Sequence, residues 1–165
     1  MKKLLFALAV VICCVFTAQG QSTYKTSVGL RFGYPLSVSL KHFLNEKNAL
    51  EGFIGYRRWS VYASDFRVGG LFLVHNPITS VEGLQWYYGG GATAIFWNYD
   101  DLFYANDDYG SLNVGIMGAI GLDYKFADLP LYLSVDWVPT FVIGRGAYDG
   151  FRADAGALSA RYTLK

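Results

Sequence analysis

The stretch from Ser111 to Lys125, SLNVGIMGAIGLDYK, divides by position into two chemistries. Leu112, Val114, Ile116, Gly118, Ile120, Leu122 and Tyr124 share one parity. Asn113, Gly115, Met117, Ala119, Gly121, Asp123 and Lys125 share the other. An extended chain sends alternate side chains to opposite faces, so the pattern predicts a strand with one oily and one small-and-polar face. Its length exceeds the roughly 5–6 residues usual in a soluble sheet and suffices for a tilted strand crossing a hydrocarbon layer.

The first residues read as an address. Lys2 and Lys3 precede an apolar run of 13, Leu4 to Phe16, and Ala18-Gln19-Gly20 offers small residues where signal peptidase reads. Cleavage is expected after Gly20, giving a secretory leader over 1–20 and a single domain over 21–165. The run falls short of the roughly 20 residues a transmembrane helix needs. A lipoprotein signal does not fit either, since Ile12 precedes Cys13 and Cys13 precedes Cys14. Cleavage would remove both cysteines, leaving no disulfide, thiolate nucleophile or cysteine metal site. It would also remove two of the 14 basic residues, leaving them nearly balanced against 13 acidic ones, which gives nucleic acid no support as a partner. Charged residues are only 16% of the chain and aromatics 18%, whereas a soluble domain carries about 25% charge. Low charge without a long apolar run after the leader suits a barrel with an alternating, lipid-facing wall.

Eight strands are predicted, near 24–33, 36–44, 49–59, 67–75, 83–97, 111–125, 130–141 and 152–164. Breaks fall on turn chemistry such as Asn45-Glu46-Lys47-Asn48, Asn76-Pro77 and Ala127-Asp128-Leu129-Pro130. No stretch sustains a helical period long enough to compete. Connections alternate between compact (45–48, 76–82, 126–129) and longer (60–66, 98–110, 142–151), with Gly33-Tyr34-Pro35 unexpectedly short among the latter. Short turns at one end and long loops at the other are the habit of outer-membrane barrels, in which an even strand count returns both termini to the periplasm.

The leader, the strand count, the loop alternation and the terminal strand together resemble the small OmpA/OmpX-type outer-membrane barrels. In that last strand Gly156, Leu158, Ala160, Tyr162 and Leu164 share one parity, similar to the terminal signal of such barrels, although Lys165 stands where an aromatic would close it. The resemblance covers the whole mature chain and carries no site residue with it. It implies an all-β, eight-stranded antiparallel up-and-down transmembrane barrel in a Gram-negative outer membrane. It further implies insertion by the barrel assembly machinery, lipid as the immediate neighbour, and a monomer. A soluble lipocalin-like calyx is the structural alternative. It is disfavoured because Ala155, Ala157, Ser159, Arg161 and Thr163 would make a poor wet surface, and because the first tryptophan, Trp59, comes too late for the Gly-x-Trp of a first lipocalin strand.

Lumen parity collects Arg31, Lys41, Glu51, Arg57, His75, Gln85, Asn113, Asp123, Lys125, Ser134, Asp136 and Arg161. Counting from the turns puts Lys41, Glu51, His75, Gln85, Asp123, Lys125 and Arg161 low, Asp136 near the middle, and Arg31 and Arg57 high. An eight-stranded barrel is just wide enough for its own side chains, and charges inside must pair. The expectation is an ionic plug in which Glu51 and Asp123 accept from Lys41, Lys125 and Arg161. A pore or proton path is the functional alternative. Tyr24, Trp86, Tyr124 and Tyr162 fall low on the oily parity, and Phe32, Tyr56, Phe96 and Phe141 fall high, as two aromatic girdles would. Aromatics are expected outside, where they do not compete with the lumen charges.

Remaining motifs are weaker. Gly89-Gly90-Gly91 lacks the Lys-Ser/Thr and the helix of a phosphate cradle, and is read, like Gly115, Gly118 and Gly121, as lumen space or a bend. In the loop 98–110, Asp100, Asp101, Asp107 and Asp108 could gather calcium, but no EF-hand spacing is present and a solvated external loop is favoured. With Tyr104 and Tyr109 beside them, these acids suit contact with an external protein or glycan. A lipid-modifying enzyme of this fold would need a base at the outer rim, yet His42 and His75 both map to the opposite end, near Ser37, Ser39 or Ser80 at best. The expected protein is therefore a non-enzymatic barrel without cofactor or metal. Its external loops would serve surface interaction or envelope integrity. A lipid-modifying enzyme and a narrow pore or carrier for small hydrophobic molecules are the alternatives.

Overall fold

A computed structural model describes residues 25–33, 35–58, 63–99, 112–144 and 150–164. The expected leader lies outside them, as do Tyr24 and the acidic loop residues Asp100, Asp101, Tyr104, Asp107, Asp108 and Tyr109. Ten strand segments are present: β1 (Thr26–Gly33), β2 (Leu36–Phe43), β3 (Asn48–Arg58), β4 (Ala63–Pro77), β5 (Leu84–Tyr99), β6 (Leu112–Lys125), β7 (Leu131–Trp137), β8 (Thr140–Ile143), β9 (Gly150–Arg152) and β10 (Gly156–Leu164). All pair antiparallel, in the order β5-β4-β3-β2-β1-β10-β7-β6, and β5 pairs with β6 to close the ring. β8 continues β7 along β6, and β9 pairs with β8, so the ten segments make eight staves of one closed barrel. Closure gives each stave two neighbours and leaves no free sheet edge.

Alternation decides which face is which. Leu112, Val114, Ile116, Ile120 and Leu122 point outward at 42–60% exposure, while Asn113, Met117, Ala119 and Asp123 between them are buried. The same division holds in β2, where Leu36, Val38 and Leu40 face out and Ser37, Ser39 and Lys41 face in. Trp86, Tyr162, Phe32, Tyr56, Phe96 and Phe141 all lie on the outer surface, on the parity expected of the girdles.

Several boundaries differ from expectation: β4 runs on through Pro77, so Asn76-Pro77 is paired strand and not the expected break, and β5 runs on to Tyr99 instead of ending at 97. β4 begins at Ala63, not 67, because Asp65 and Arg67 face the lumen while Phe66 and Val68 face out. The expected connection over 60–66 therefore overlaps strand from Ala63, because the period of two continues through it. The seventh and eighth strands are each interrupted, at Val138-Pro139 and at Ala153-Asp154-Ala155. Proline has no N–H to give a ladder, and registers Trp137↔Gly156 and Thr140↔Arg152 set two residues against three, a β-bulge. Both interrupted strands then run on past the expected ends, to Ile143 and from Gly150. The short connection after Gly33 is real, since Arg31 already pairs with Ser37 across it.

The glycine run in β5 has a steric reason. A Cβ on Gly91 would lie 1.8 Å from the Gly70 carbonyl oxygen, and one on Gly89 would lie 2.0 Å from that of Phe72. The obstacle is the backbone of β4, which cannot yield without parting the two strands. Gly91→Val is expected to destabilise the barrel by about 1–3 kcal/mol or more. The check is the fraction refolding into detergent, read as the compact band on an unheated gel. Gly52→Ala is the control, since a Cβ there meets nothing within 4 Å.

Candidate functional site

The lumen holds a connected set of charges almost wholly withdrawn from solvent. Arg31 of β1 donates through Nη1 to Glu51 Oε1 (2.6 Å) and through Nη2 to Asp136 Oδ1 (2.8 Å). Arg161 of β10 donates through Nη2 to the same Glu51 oxygen at 2.5 Å, through Nε to Ser39 Oγ at 3.0 Å, and through Nη1 to Ser134 Oγ. Lys41 Nζ lies 2.9 Å from Asp123 Oδ2 and 3.7 Å from Glu51 Oε2. Tyr87 donates its hydroxyl proton to Asp136 Oδ2 at 2.9 Å. Three cations thus face three carboxylates, and all six side chains are at most 7% exposed. Burying an ion costs several kcal/mol, which is offset only when its partners are close and its remaining donors are taken up. Arg161 meets that demand with two serines placed by β2 and β7.

Apolar residues complete the filling. Phe53, Tyr87 and Trp97 all point inward and are buried, contrary to the expectation that aromatics stay outside. Glycines opposite Phe53 and Tyr87 create the room for these two: a Cβ on Gly69 would strike the Phe53 ring at 2.5 Å, and one on Gly121 the Tyr87 ring at 2.7 Å. Rather than competing with the charges, the rings support them. Lys41 Nζ sits 4.6 Å from the Tyr87 centroid, and the Arg31 guanidinium lies 5.6 Å from that of Phe53. Gly118 is different, because it lies on the outer parity beside Pro139 and opens no lumen space. Towards the loop end, the space between Arg31, Arg67, Thr93, Met117 and Ala157 is about 30 Å³, room for one water.

Of the residues expected in the plug, the structure brings Lys41, Glu51, Asp123 and Arg161 together. Lys125 is only half-buried and lines a separate cavity at the turn end. Arg31 and Asp136, assigned to greater heights, enter the same cluster. Strands in a barrel are tilted and staggered, so equal counts from a turn do not give equal heights, and a guanidinium spans the remainder. Asp65 and Arg67 were missed and form a buried pair at 2.5 Å in the upper lumen. Their alternation with Phe66 and Val68 is the signal that could have found them. Arg57 reaches Asp154 at 2.7 Å at the loop-end rim.

The histidines are placed as follows. His42 Nδ1 lies 2.8 Å from Thr26 Oγ1. His75 is enclosed between the rings of Phe43 and Tyr87, at 4.8 and 4.9 Å, with Nε2 3.4 Å from Asp123. Ser37 donates to the Pro35 carbonyl and Ser39 accepts from Arg161, so neither hydroxyl is presented to a histidine. Among the described residues, no histidine is joined to both a serine and a carboxylate, and no group of three or more His, Cys, Asp or Glu could hold a metal.

A closed eight-stranded antiparallel barrel, apolar on the outside and polar within, is the architecture of small outer-membrane barrels. Two solved structures carry the same fold. The N-terminal β-barrel domain of OprF from Pseudomonas aeruginosa is similar at a TM-score of 0.60 and 15% identity, over 88% of this chain and all of that one. Neisserial surface protein A, NspA, is similar at a TM-score of 0.59 and 12% identity, over 86% of this chain and 93% of that one. At such identities the likeness establishes the fold. No protein-family profile and no curated protein sequence matches the chain.

Proposed function

We propose that this chain is an integral protein of the bacterial outer membrane, exported by a leader over residues 1–20, with a lumen plugged by its own charges. The barrel anchors external loops for surface interaction or envelope integrity, and it performs no catalysis. One observation carries the reading: Arg31, Lys41 and Arg161 are balanced against Glu51, Asp123 and Asp136, all nearly buried, inside a ring of eight strands, a size whose interior side chains fill. The greasy outer wall supports membrane residence. The loops between β3 and β4, β5 and β6, and β8 and β9 are the parts left to meet a protein or glycan outside.

Planar-bilayer recording with the purified protein tests the plug. The expected trace has no steady conductance, and channels of one defined size would overturn the reading. Membrane residence is tested on a detergent gel, where the unboiled protein is expected to migrate apart from the boiled one. No shift, together with solubility in plain buffer, would point to a soluble calyx instead.

A further inference from the structure

His75 stands at the turn end of β4 with its side chain sealed from solvent, and neither ring nitrogen is hydrogen-bonded among the described residues. Two acceptors in the neighbouring cluster are also left over, Asp123 Oδ1 and Glu51 Oε2. Buried polar atoms without partners cost free energy, so a group of them in one place calls for a reason. The ring is close to a contact it does not complete, since Nε2 lies 3.4 Å from Asp123 Oδ2. Lys41 Nζ occupies that oxygen at 2.9 Å, with Glu51 Oε2 in reserve at 3.7 Å.

The charged and titratable groups around the ring come from four strands. β2 brings Lys41, β3 brings Glu51, β5 brings Tyr87 and β6 brings Asp123. The turn before β3 offers the Lys47 carbonyl, which accepts the His75 backbone N–H at 2.6 Å. Beyond Phe43, the mouth adds Lys25, Glu46, Lys125 and Tyr132. With the imidazole neutral, Arg31, Lys41 and Arg161 already balance Glu51, Asp123 and Asp136. A proton on His75 is a fourth positive charge in a nearly dry site, and the spare carboxylate oxygens are what can receive it.

We propose that His75 is a proton-sensing switch: its protonated ring donates from Nε2 to Asp123, and Lys41 passes to Glu51 Oε2. The lysine has little distance to cover. It is the direct cross-strand partner of Glu51, and closing 3.7 Å to an ordinary contact of about 2.9 Å moves Nζ by roughly 1 Å. One lysine with two carboxylates supplies the two-state element that a protonation switch has to bias. The proton's way in is short as well. Phe43 packs on the imidazole at 4.8 Å and lines the turn-end cavity of about 450 Å³, so a single ring parts His75 from the open mouth. Acidity at that end is thereby read by the cluster. That this end faces the periplasm rests on the membrane reading above, but the exchange of partners does not.

The test uses the full mature chain folded in detergent micelles, with imidazole nitrogens and Asp and Glu carboxyl carbons isotope-labelled. NMR follows them from about pH 8 to about pH 5, the span in which imidazole ordinarily changes charge. His42→Gln leaves one histidine and so assigns the ring. In that protein His75 is expected to take up a proton in one step, with the Asp123 and Glu51 carboxyl signals moving at the same midpoint. His75→Gln is expected to abolish the shared step while the unboiled gel band stays compact. Lys41→Met is expected to keep the Asp123 response and lose that of Glu51, which separates a moved lysine from a field felt through space. The titration with native cluster residues decides the matter even where a cluster variant fails to fold. A ring that stays neutral to about pH 5, a His75 step that leaves Glu51 unmoved, or a Glu51 step that survives either variant would each overturn the switch. Steady channels together with the shared step would sink the plug alone, and the absence of both would sink the switch alone.

Discussion

Glu51→Ala is expected to destabilise the barrel by about 3–5 kcal/mol, because three buried cations are then left with two carboxylates. Glu51 is the shared acceptor of Arg31 and Arg161 and a near neighbour of Lys41, so its loss strands charge on three staves at once. Glu51→Gln keeps the volume and should recover only a small part of the loss. Unfolding by denaturant in detergent, followed by tryptophan emission, measures it. A cost below about 1 kcal/mol would mean that water reaches these charges and that the lumen is not sealed. A paired change sharpens the point. Lys41→Met together with Asp123→Leu removes both ends of a 2.9 Å contact and should cost less than its two single changes combined, by about 1–3 kcal/mol.

The second large effect lies on the opposite face. Ile116→Arg places a guanidinium on the outer wall of β6, where isoleucine is 60% exposed. In lipid near the midplane such a charge costs about 2–4 kcal/mol, whereas on a water-facing wall it would be neutral or would aid solubility. The expected result is a lower folded yield in lipid vesicles and a lower denaturant midpoint, growing when Leu158→Arg is added. Unchanged folding of the double variant would remove acyl chains from the outer wall.

Much of this molecule is legible from period two alone. The inward set in β2, β3 and β6 could be read residue by residue, because a strand with one greasy face has only one register that hides its charges. Which inward charges meet is another matter. Lys41 and Glu51 are direct cross-strand partners, so adjacency in the sheet betrays them. Arg31 and Asp136 are 105 positions apart on β1 and β7, and their contact depends on tilt, stagger and side-chain reach. Sequence spacing encodes none of these. The inward rings of Phe53 and Tyr87 are hidden for a related reason: a large side chain fits where a glycine faces it, and Gly69 and Gly121 stand on neighbouring strands. Lys125 shares parity with the cluster but sits at the last position of its strand, where the lumen widens into the mouth.

Residues 26–33, near the front of the chain, form their ladder with residues 157–164, near its end. Until those last residues leave the ribosome the ring has no partner for its opening stave, and the other seven form at most an open ribbon with two raw borders, at β1 and at β7. Such a ribbon is greasy on one side and ready to pair with any other extended chain. The cylinder can shut only in a single late step, once its final stave has arrived.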